Sequence, residues 1–258
     1  MSVHNSSNPV ENTIRSRRTS KVLLAVELRE EQQACWNDQH AATLESILGA
    51  AAWAPFHKKA HNIHLAGELK SPVPWRFHVV RPEACTELLQ YLDTQAQQSS
   101  DPKWQRAWQS KIKEMISACG VLVQATWLPD PADDLATDGL AEGLAEGLAE
   151  GPAEGHSHQT AIAQTAIALT RKNVEHIAAA SSAVQNLLLA AESHHWLSYW
   201  SSGGILRDDE VFDHMKISRN EQLLGSIFLT PSAHPASRII EGGLREQRGE
   251  LADWVHWV

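Results

Sequence analysis

Residues 119–126, Cys-Gly-Val-Leu-Val-Gln-Ala-Thr, are apolar nearly throughout, and a run of this length and character reads as a strand inside a core. Any fold for the chain has to cover it. Three other segments share strand character: Trp75–Arg81 alternates and is β-branched near its end, Trp196–Ser201 is strand-like, and Leu223–Thr230 is a last apolar run. Helical patterns lie between them. Leu44, Ile47, Leu48 and Ala51 stack on one face of a helix expected over about 37–53 and closed by Pro55. Glu83 to about Gln98 and Pro102–Ser117 read as two helices divided by Ser99-Ser100-Asp101, and Asp208–Met215 as a short one. Ile177, Val184, Leu187, Leu188 and Ala191 form the stripe of a long late helix. Its small residues, Ala178–Ala183, suit either close helix contact or a flat ligand, and Ser202-Gly203-Gly204 reads as a turn.

A chain of 258 residues favours one domain with surplus segments. The surplus has addresses: a flexible leader over 1–13, a main domain over 14–237, a low-complexity insert at about 130–157, and a tail over 238–258. In the insert Gly139-Leu-Ala-Glu recurs at Gly143 and Gly147 and returns as Gly151-Pro-Ala-Glu. Each interior glycine costs a helix about 1 kcal/mol against alanine, and Pro152 ends it, so a mobile acidic insert is expected, with an active-site lid as the alternative. The tail carries Trp254 and Trp257, apolar for a terminus, and is expected to dock on a partner subunit or on its own core.

Hydrophobic residues at 43% and charged residues at 21% exclude a wholly disordered, collagen-like or coiled-coil chain. Lys plus Arg total 22 against 31 Asp plus Glu, a net charge of -9, which argues against a dedicated nucleic-acid binder. No apolar run approaches the roughly 18 residues of a membrane helix, and Met1–Lys21 has no secretory apolar region. The three cysteines, Cys35, Cys85 and Cys119, are widely spaced without a CxxC pair, against a disulfide framework or zinc knuckle. A soluble protein of the reducing cytoplasm, without nucleic-acid or membrane partners, is the expectation.

The chain has no Gly-rich dinucleotide fingerprint, P-loop, nucleophile elbow or HExxH helix. Among fourteen histidines, His57, His61 and His64, or His156 with His158, invite a metal, but no carboxylate or cysteine is arranged with them and none is expected. The one concentrated basic segment is Ile14–Lys21, where hydroxyls are interleaved with cations. Guanidinium groups with Ser or Thr donors suit a phosphate; taken alone, the segment also reads as a solvated turn.

Several short blocks in order change that balance. Arg17-Arg18-Thr19-Ser20-Lys21, Ala54-Pro55-Phe56-His57-Lys58, Pro74-Trp75-Arg76-Phe77, Gln185–Ala191, Trp200-Ser201-Ser202-Gly203 and Leu224–Leu229 together resemble the nitroreductase family, and most of all its small YdjA-like subgroup. The resemblance implies an α+β fold with a central, mainly antiparallel sheet flanked by helices, an obligate homodimer, and FMN in two interface clefts. It implies that NADH or NADPH gives electrons that leave to a small conjugated acceptor, nitroaromatic or quinone-like, by a two-step hydride relay. By the family pattern Arg17, Arg18 and Thr19 grip the phosphate and ribityl end, and Lys21 lies by the pyrimidine side, where a cation stabilises the charge of reduced flavin. His57 reaches the flavin from the other subunit, Pro74 and Trp75 belong to the ring-side block, and Trp200, Ser201 and Ser202 lie against the ring. No catalytic residue is nominated, because hydride enters and leaves at the flavin.

Departures from the pattern concern access more than cofactor. Trp53 stands where the nearest relatives carry an arginine that touches FMN, residues 61–70 form a stretch that relatives largely lack, and Thr230 replaces a glycine at the end of the last strand. Two other functions stay open: a flavin- or partner-binding protein on the same fold with little or no turnover, and an enzyme that spends reduced flavin on dehalogenation or on fragmenting flavin itself.

Overall fold

A computed structural model describes residues 8–65, 69–108, 111–131 and 170–258. The Gly-Leu-Ala-Glu repeat, with His156 and His158, lies outside the described residues. In chain order the elements are α1 (Pro9–Ser16), β1 (Ser20–Leu23), α2 (Arg29–Ala34), α3 (Asp38–Ala51), β2 (Trp75–Val80), α4 (Pro82–Gln98), α5 (Pro102–Trp108) and α6 (Ile112–Ala118). They continue with β3 (Val121–Trp127), α7 (Arg171–Ser193), β4 (Leu197–Ser201), α8 (Asp209–His214), β5 (Gln222–Thr230) and β6 (Arg238–Glu241).

The expected α+β architecture is present. Four strands form an antiparallel sheet in the order β2-β3-β5-β4, and β1 and β6 pair separately, also antiparallel. Every residue of β3 is buried. On one face Val121, Val123 and Ala125 meet Leu44 and Ile47 of α3 and Val184 and Leu187 of α7. On the other, Leu122 joins Leu88 and Leu92 of α4, Ile116 of α6 and Phe228. Helices on both faces are why this strand reads as a continuous apolar run and not as an alternation.

Local signals start the helices where they begin. The Asn37 side chain accepts the His40 N–H ahead of α3, Thr170 does the same for Asn173 ahead of α7, and Pro82 opens α4. Proline there lacks only an N–H that a first turn leaves unpaired.

One helix expectation needs correction, and the two ends of the chain gain detail. Ahead of β1, residues Pro9–Ser16 are helical, because Asn8 caps the turn by accepting the Val10 N–H and Pro9 stands at the first helical position. The single helix over Pro102–Ser117 is two, α5 and α6. A straight helix would set Trp104 and Ile116 about 18 Å apart along its axis, whereas as two helices both enter one core cluster. The tail contributes a strand, β6, on β1 of its own chain, while Trp254 and Trp257 stay 63% and 81% exposed.

Candidate functional site

Helix α1 ends at Arg17, whose N–H bonds the Thr13 carbonyl, and the chain extends through Thr19 into β1. Strand β6 lies beside it in the register Ser20↔Glu241 and Lys21↔Ile240, and the Gly242 N–H donates to the Thr19 carbonyl at 2.8 Å. The tail then turns back over the basic segment. Arg245 donates to the Arg15 and Arg17 carbonyls at 2.8 and 3.1 Å, and Glu246 pairs with Arg18 at 2.8 Å. Arg17 is half-buried. Burial, reinforced by the nearby charge of Arg245 and opposed by Glu192, holds its guanidinium below the usual arginine range. Backbone carbonyls hold the Arg245 guanidinium beside Arg17, and such a pair of cations suits an anion such as a phosphate.

This group continues into the late block. Lys21 Nζ stands 4.6 Å above the Tyr199 ring, joining β1 to β4. Tyr199 stacks on Phe228 of β5, while the next residue, Trp200, faces the α3–α7 side. Trp200 lies on Gly225 of β5: a Cβ there would sit 2.1 Å from the indole Nε1 and 2.6 Å from the Ser201 carbonyl. Past Ser201 the chain needs glycine again, since Gly203 has φ 103° and an added Cβ would meet Leu223 Cδ2 at 2.5 Å. The Ser201 hydroxyl accepts the Gly203 N–H at 3.2 Å. Arg207 donates to the Ser202 carbonyl and, at 3.1 Å, to that of Leu223, tying the exposed Ser202 to the start of β5.

The remaining site residues stand elsewhere. Trp75 is buried with Ala54, Trp127 and the small face Ala179, Ala180 and Ala183 of α7, so indoles occupy that face. Phe56 meets Trp75 edge-on at 5.8 Å, which brings the His57 turn to the ring-side block; His57 itself is exposed. Pro74 is buried and its carbonyl accepts the Leu128 N–H at 3.0 Å. Trp53, at the end of α3, is 87% exposed.

Arg76 anchors this edge. Its guanidinium donates to the carbonyls of Val73, Trp75, His64, Leu69 and Ser71 at 2.8–3.3 Å, so backbone groups ahead of β2 converge on a buried cation. Glu221 supplies counter-charge. Its Oε2 sits 2.7 Å from His78 Nε2 and 2.5 Å from the Thr126 hydroxyl. Burial pushes the Glu221 carboxyl up, but His78, Thr126 and Arg76 outweigh it and hold the pKa below its usual 4.5. A carboxyl depressed on folding adds stability above its unfolded pKa and loses it as pH falls through the folded value. Glu221→Gln is therefore expected to lower the denaturant midpoint at pH 7, with the deficit shrinking below about pH 4.5. A deficit that stayed constant down to pH 3 would show that the carboxylate charge is not what stabilises this edge.

The ten residues named from sequence thus form two groups. Arg17, Arg18, Thr19, Lys21, Trp200, Ser201 and Ser202 gather at the β4 edge, and His57, Pro74 and Trp75 at the β2 edge, three strand spacings or about 14 Å away. One chain does not bring them together. Arg245 escaped the sequence reading because no local spacing announces that residues 244–248 fold back onto residues 15–19. Among the described residues, no group of three or more His, Cys, Asp or Glu is placed to hold a metal, and no helix is long and apolar enough to cross a membrane.

The molecule is an antiparallel α+β domain with a guanidinium cluster at its β4 edge and a tryptophan-floored turn at its β2 edge. The chain belongs to the nitroreductase family, whose model matches residues 40–229. A nitroreductase with bound FMN from Bacteroides fragilis is similar at 17% identity and TM-score 0.54, over 98% of this chain and 100% of that one. Nitroreductase CinD from Lactococcus lactis, in complex with 4-nitrophenol, is similar at 14% identity and TM-score 0.53, over 96% of this chain and 98% of that one. A nitroreductase-like protein from Bacillus cereus gives 15% and 0.52, over 97% and 98%. At these identities the likeness concerns the fold. No curated protein matches the sequence.

Proposed function

We propose that the protein is an FMN-dependent NAD(P)H oxidoreductase of the cytoplasm, nearest the YdjA-like subgroup, that reduces a small conjugated acceptor such as a nitroaromatic or a quinone. The observation that carries this reading is the cation group at the β4 edge, Arg17 beside Arg245 with Lys21 of β1 over Tyr199, in an otherwise acidic chain. Its chemistry fits FMN, which has a dianionic phosphate at one end and a flat ring at the other. When bound, FMN supplies hydride acceptance from reduced nicotinamide and hydride donation to the acceptor.

The chain's own residues have the remaining tasks. Arg17, Arg18 and Arg245 bind the phosphate, with the Thr19 hydroxyl as a neutral donor. Arg18 does so by giving up Glu246. Lys21 presents a cation to the pyrimidine side and favours the reduced, negatively charged ring. Ser201 and Ser202, on the turn held by Gly203 and Arg207, orient the ring, with Trp200 behind them.

Separation of the two groups across the sheet supports a homodimer in which the β4 edge of one protomer faces the β2 edge of the other, so that His57, Pro74 and Trp75 complete a cleft. Addition of FMN to purified protein is expected to give a yellow dimer with one flavin per chain on gel filtration. Protein that stays colourless after incubation with FMN overturns the reading. Deleting the residues after Asp253 removes exposed Trp254 and Trp257 and is expected to shift the protein toward monomer with looser FMN. Unchanged size and flavin content would take those tryptophans out of the interface.

A further inference from the structure

We infer that Cys35 is a modification site, at which a small aminothiol is held as a mixed disulfide while its ammonium group donates to the buried side-chain carbonyl of Gln32. Cys35 is exposed at the end of α2 and lines a shallow surface pocket together with Gln32, Trp36, His40 and Ser232. Gln32 stands three positions earlier, so the two side chains are neighbours on one helix face. The Cys35 N–H bonds the Gln32 backbone carbonyl at 3.3 Å, which keeps the helical spacing through this last turn.

Two polar atoms of the pocket call for a donor. Gln32 is only 3% exposed, and its Nε2 donates to the Ser232 carbonyl at 2.8 Å, which pins the amide at one end. Among the described residues Gln32 Oε1 has no hydrogen-bond partner, and neither has His40 Nδ1. Buried polar atoms are normally paired. An amide oxygen can only accept, an imidazole nitrogen accepts when the ring proton is on the other nitrogen, and an ammonium group brings three donors. Trp36, whose ring is 5.5 Å from that of His40, adds an aromatic wall that favours a cation.

Charge points the same way. Glu30 and Glu31 of α2 and Asp38 of α3 are exposed, with His234 3.2 Å from Glu31, whereas Arg29 is buried and donates to the Pro82 and Cys119 carbonyls at 2.6 Å. Size decides for a covalent anchor. Pockets that hold a ligand on their own enclose roughly 300–1,000 Å³, and this one measures about 230 Å³ with its open mouth counted. A two-carbon arm between sulfur and nitrogen spans about the 5–6 Å that separates neighbouring side chains on a helix face.

The oxidant is the symmetric disulfide of the aminothiol. The Cys35 thiolate attacks one of its sulfurs, the S–S bond breaks, and the departing aminothiolate takes up the proton that Cys35 gave up. One S–S bond forms as another breaks. Cys35 is oxidised, and half of the small disulfide is reduced to free thiol.

The test equilibrates the full chain with cystamine and cysteamine, and separately with 2-hydroxyethyl disulfide and 2-mercaptoethanol, which have the same reach without the ammonium group. Acid quenching and peptide mass mapping without reductant give the exchange constant at Cys35, in folded protein and in urea. The folded-to-unfolded ratio removes the intrinsic difference between the two thiols. The expected result in folded protein is an adduct on Cys35 and not on buried Cys85 or Cys119, released by dithiothreitol. Its ratio should be about tenfold higher for the cystamine pair, which is about 1.4 kcal/mol. Glutathione disulfide, an anion, should give the smallest ratio. Equal ratios for the cystamine and 2-hydroxyethyl pairs, or the largest ratio for glutathione disulfide, would overturn the inference. Gln32→Met keeps the side-chain length without the acceptor and should erase most of the gain; a full gain in a folded Gln32→Met protein also overturns it. If that variant does not fold, the comparison of disulfides on the parent chain decides alone.

Discussion

Gly225→Ala is expected to lower the thermal midpoint by about 6 °C, from a cost of about 2 kcal/mol. The added methyl has nowhere to go. It would meet Trp200 Nε1 at 2.1 Å and the Ser201 carbonyl at 2.6 Å, and the second of these is backbone. Moving the indole alone is therefore not enough, and β4 has to shift from β5 at the pair Ser201↔Ser226. The same shift disturbs Ser201 and Ser202, so FMN affinity should fall together with stability. Gly49 in α3 is the matched control: an added Cβ meets nothing within 4 Å, and alanine there should be neutral or stabilising by up to about 1 kcal/mol. Equal midpoints for Gly225→Ala and the unmodified protein, by calorimetry or circular dichroism, would remove Trp200 from its place on β5.

Arg17→Gln should weaken FMN binding by about 30-fold, the loss of one charge-assisted phosphate contact of about 2 kcal/mol. Arg17 is the cation to lose because it is half-buried beside Arg245 and already partly desolvated. Arg18 differs. It is more exposed and paired to Glu246, so Arg18→Gln should cost only a few-fold. Quenching of free FMN fluorescence measures both constants, and raised salt should narrow the gap between the variants and the unmodified protein. A smaller loss at Arg17 than at Arg18 would place the phosphate elsewhere.

What could be read from the chain alone follows from how local each signal is. Buried β3 was legible because helices cover both its faces, and α4 because Pro82 and a regular apolar stripe mark it. The division into α5 and α6 left no such mark, since residues of both helices are drawn into a core set by α4 and β3. Strand β6 was hidden for another reason: Arg-Ile-Ile-Glu is four residues long, and its partner lies more than two hundred positions away. The site divides in the same manner. Arg17–Lys21 and Trp200–Ser202 stand in compact blocks and could be named, whereas Arg245 reaches Arg17 only through the β1–β6 pairing. Arg76 looked like one residue of a strand. Four of its five carbonyl partners come from residues 64–73, where the sequence carries no helical or strand pattern.

Trp53 offers the sharpest contrast between the reading as an enzyme and the alternative of a flavin-binding protein without turnover. It is 87% exposed at the β2 edge, where the resemblance implies an arginine on FMN. If the cations at the other edge are sufficient, turnover survives this replacement. The deciding measurement is the visible absorption spectrum of the FMN-loaded protein under anaerobic conditions, before and after NADH or NADPH is added. The account predicts a flavin band that bleaches on addition of reduced nicotinamide and returns when a nitroaromatic or quinone acceptor is supplied. A bound flavin whose band is unchanged by either nucleotide would contradict it.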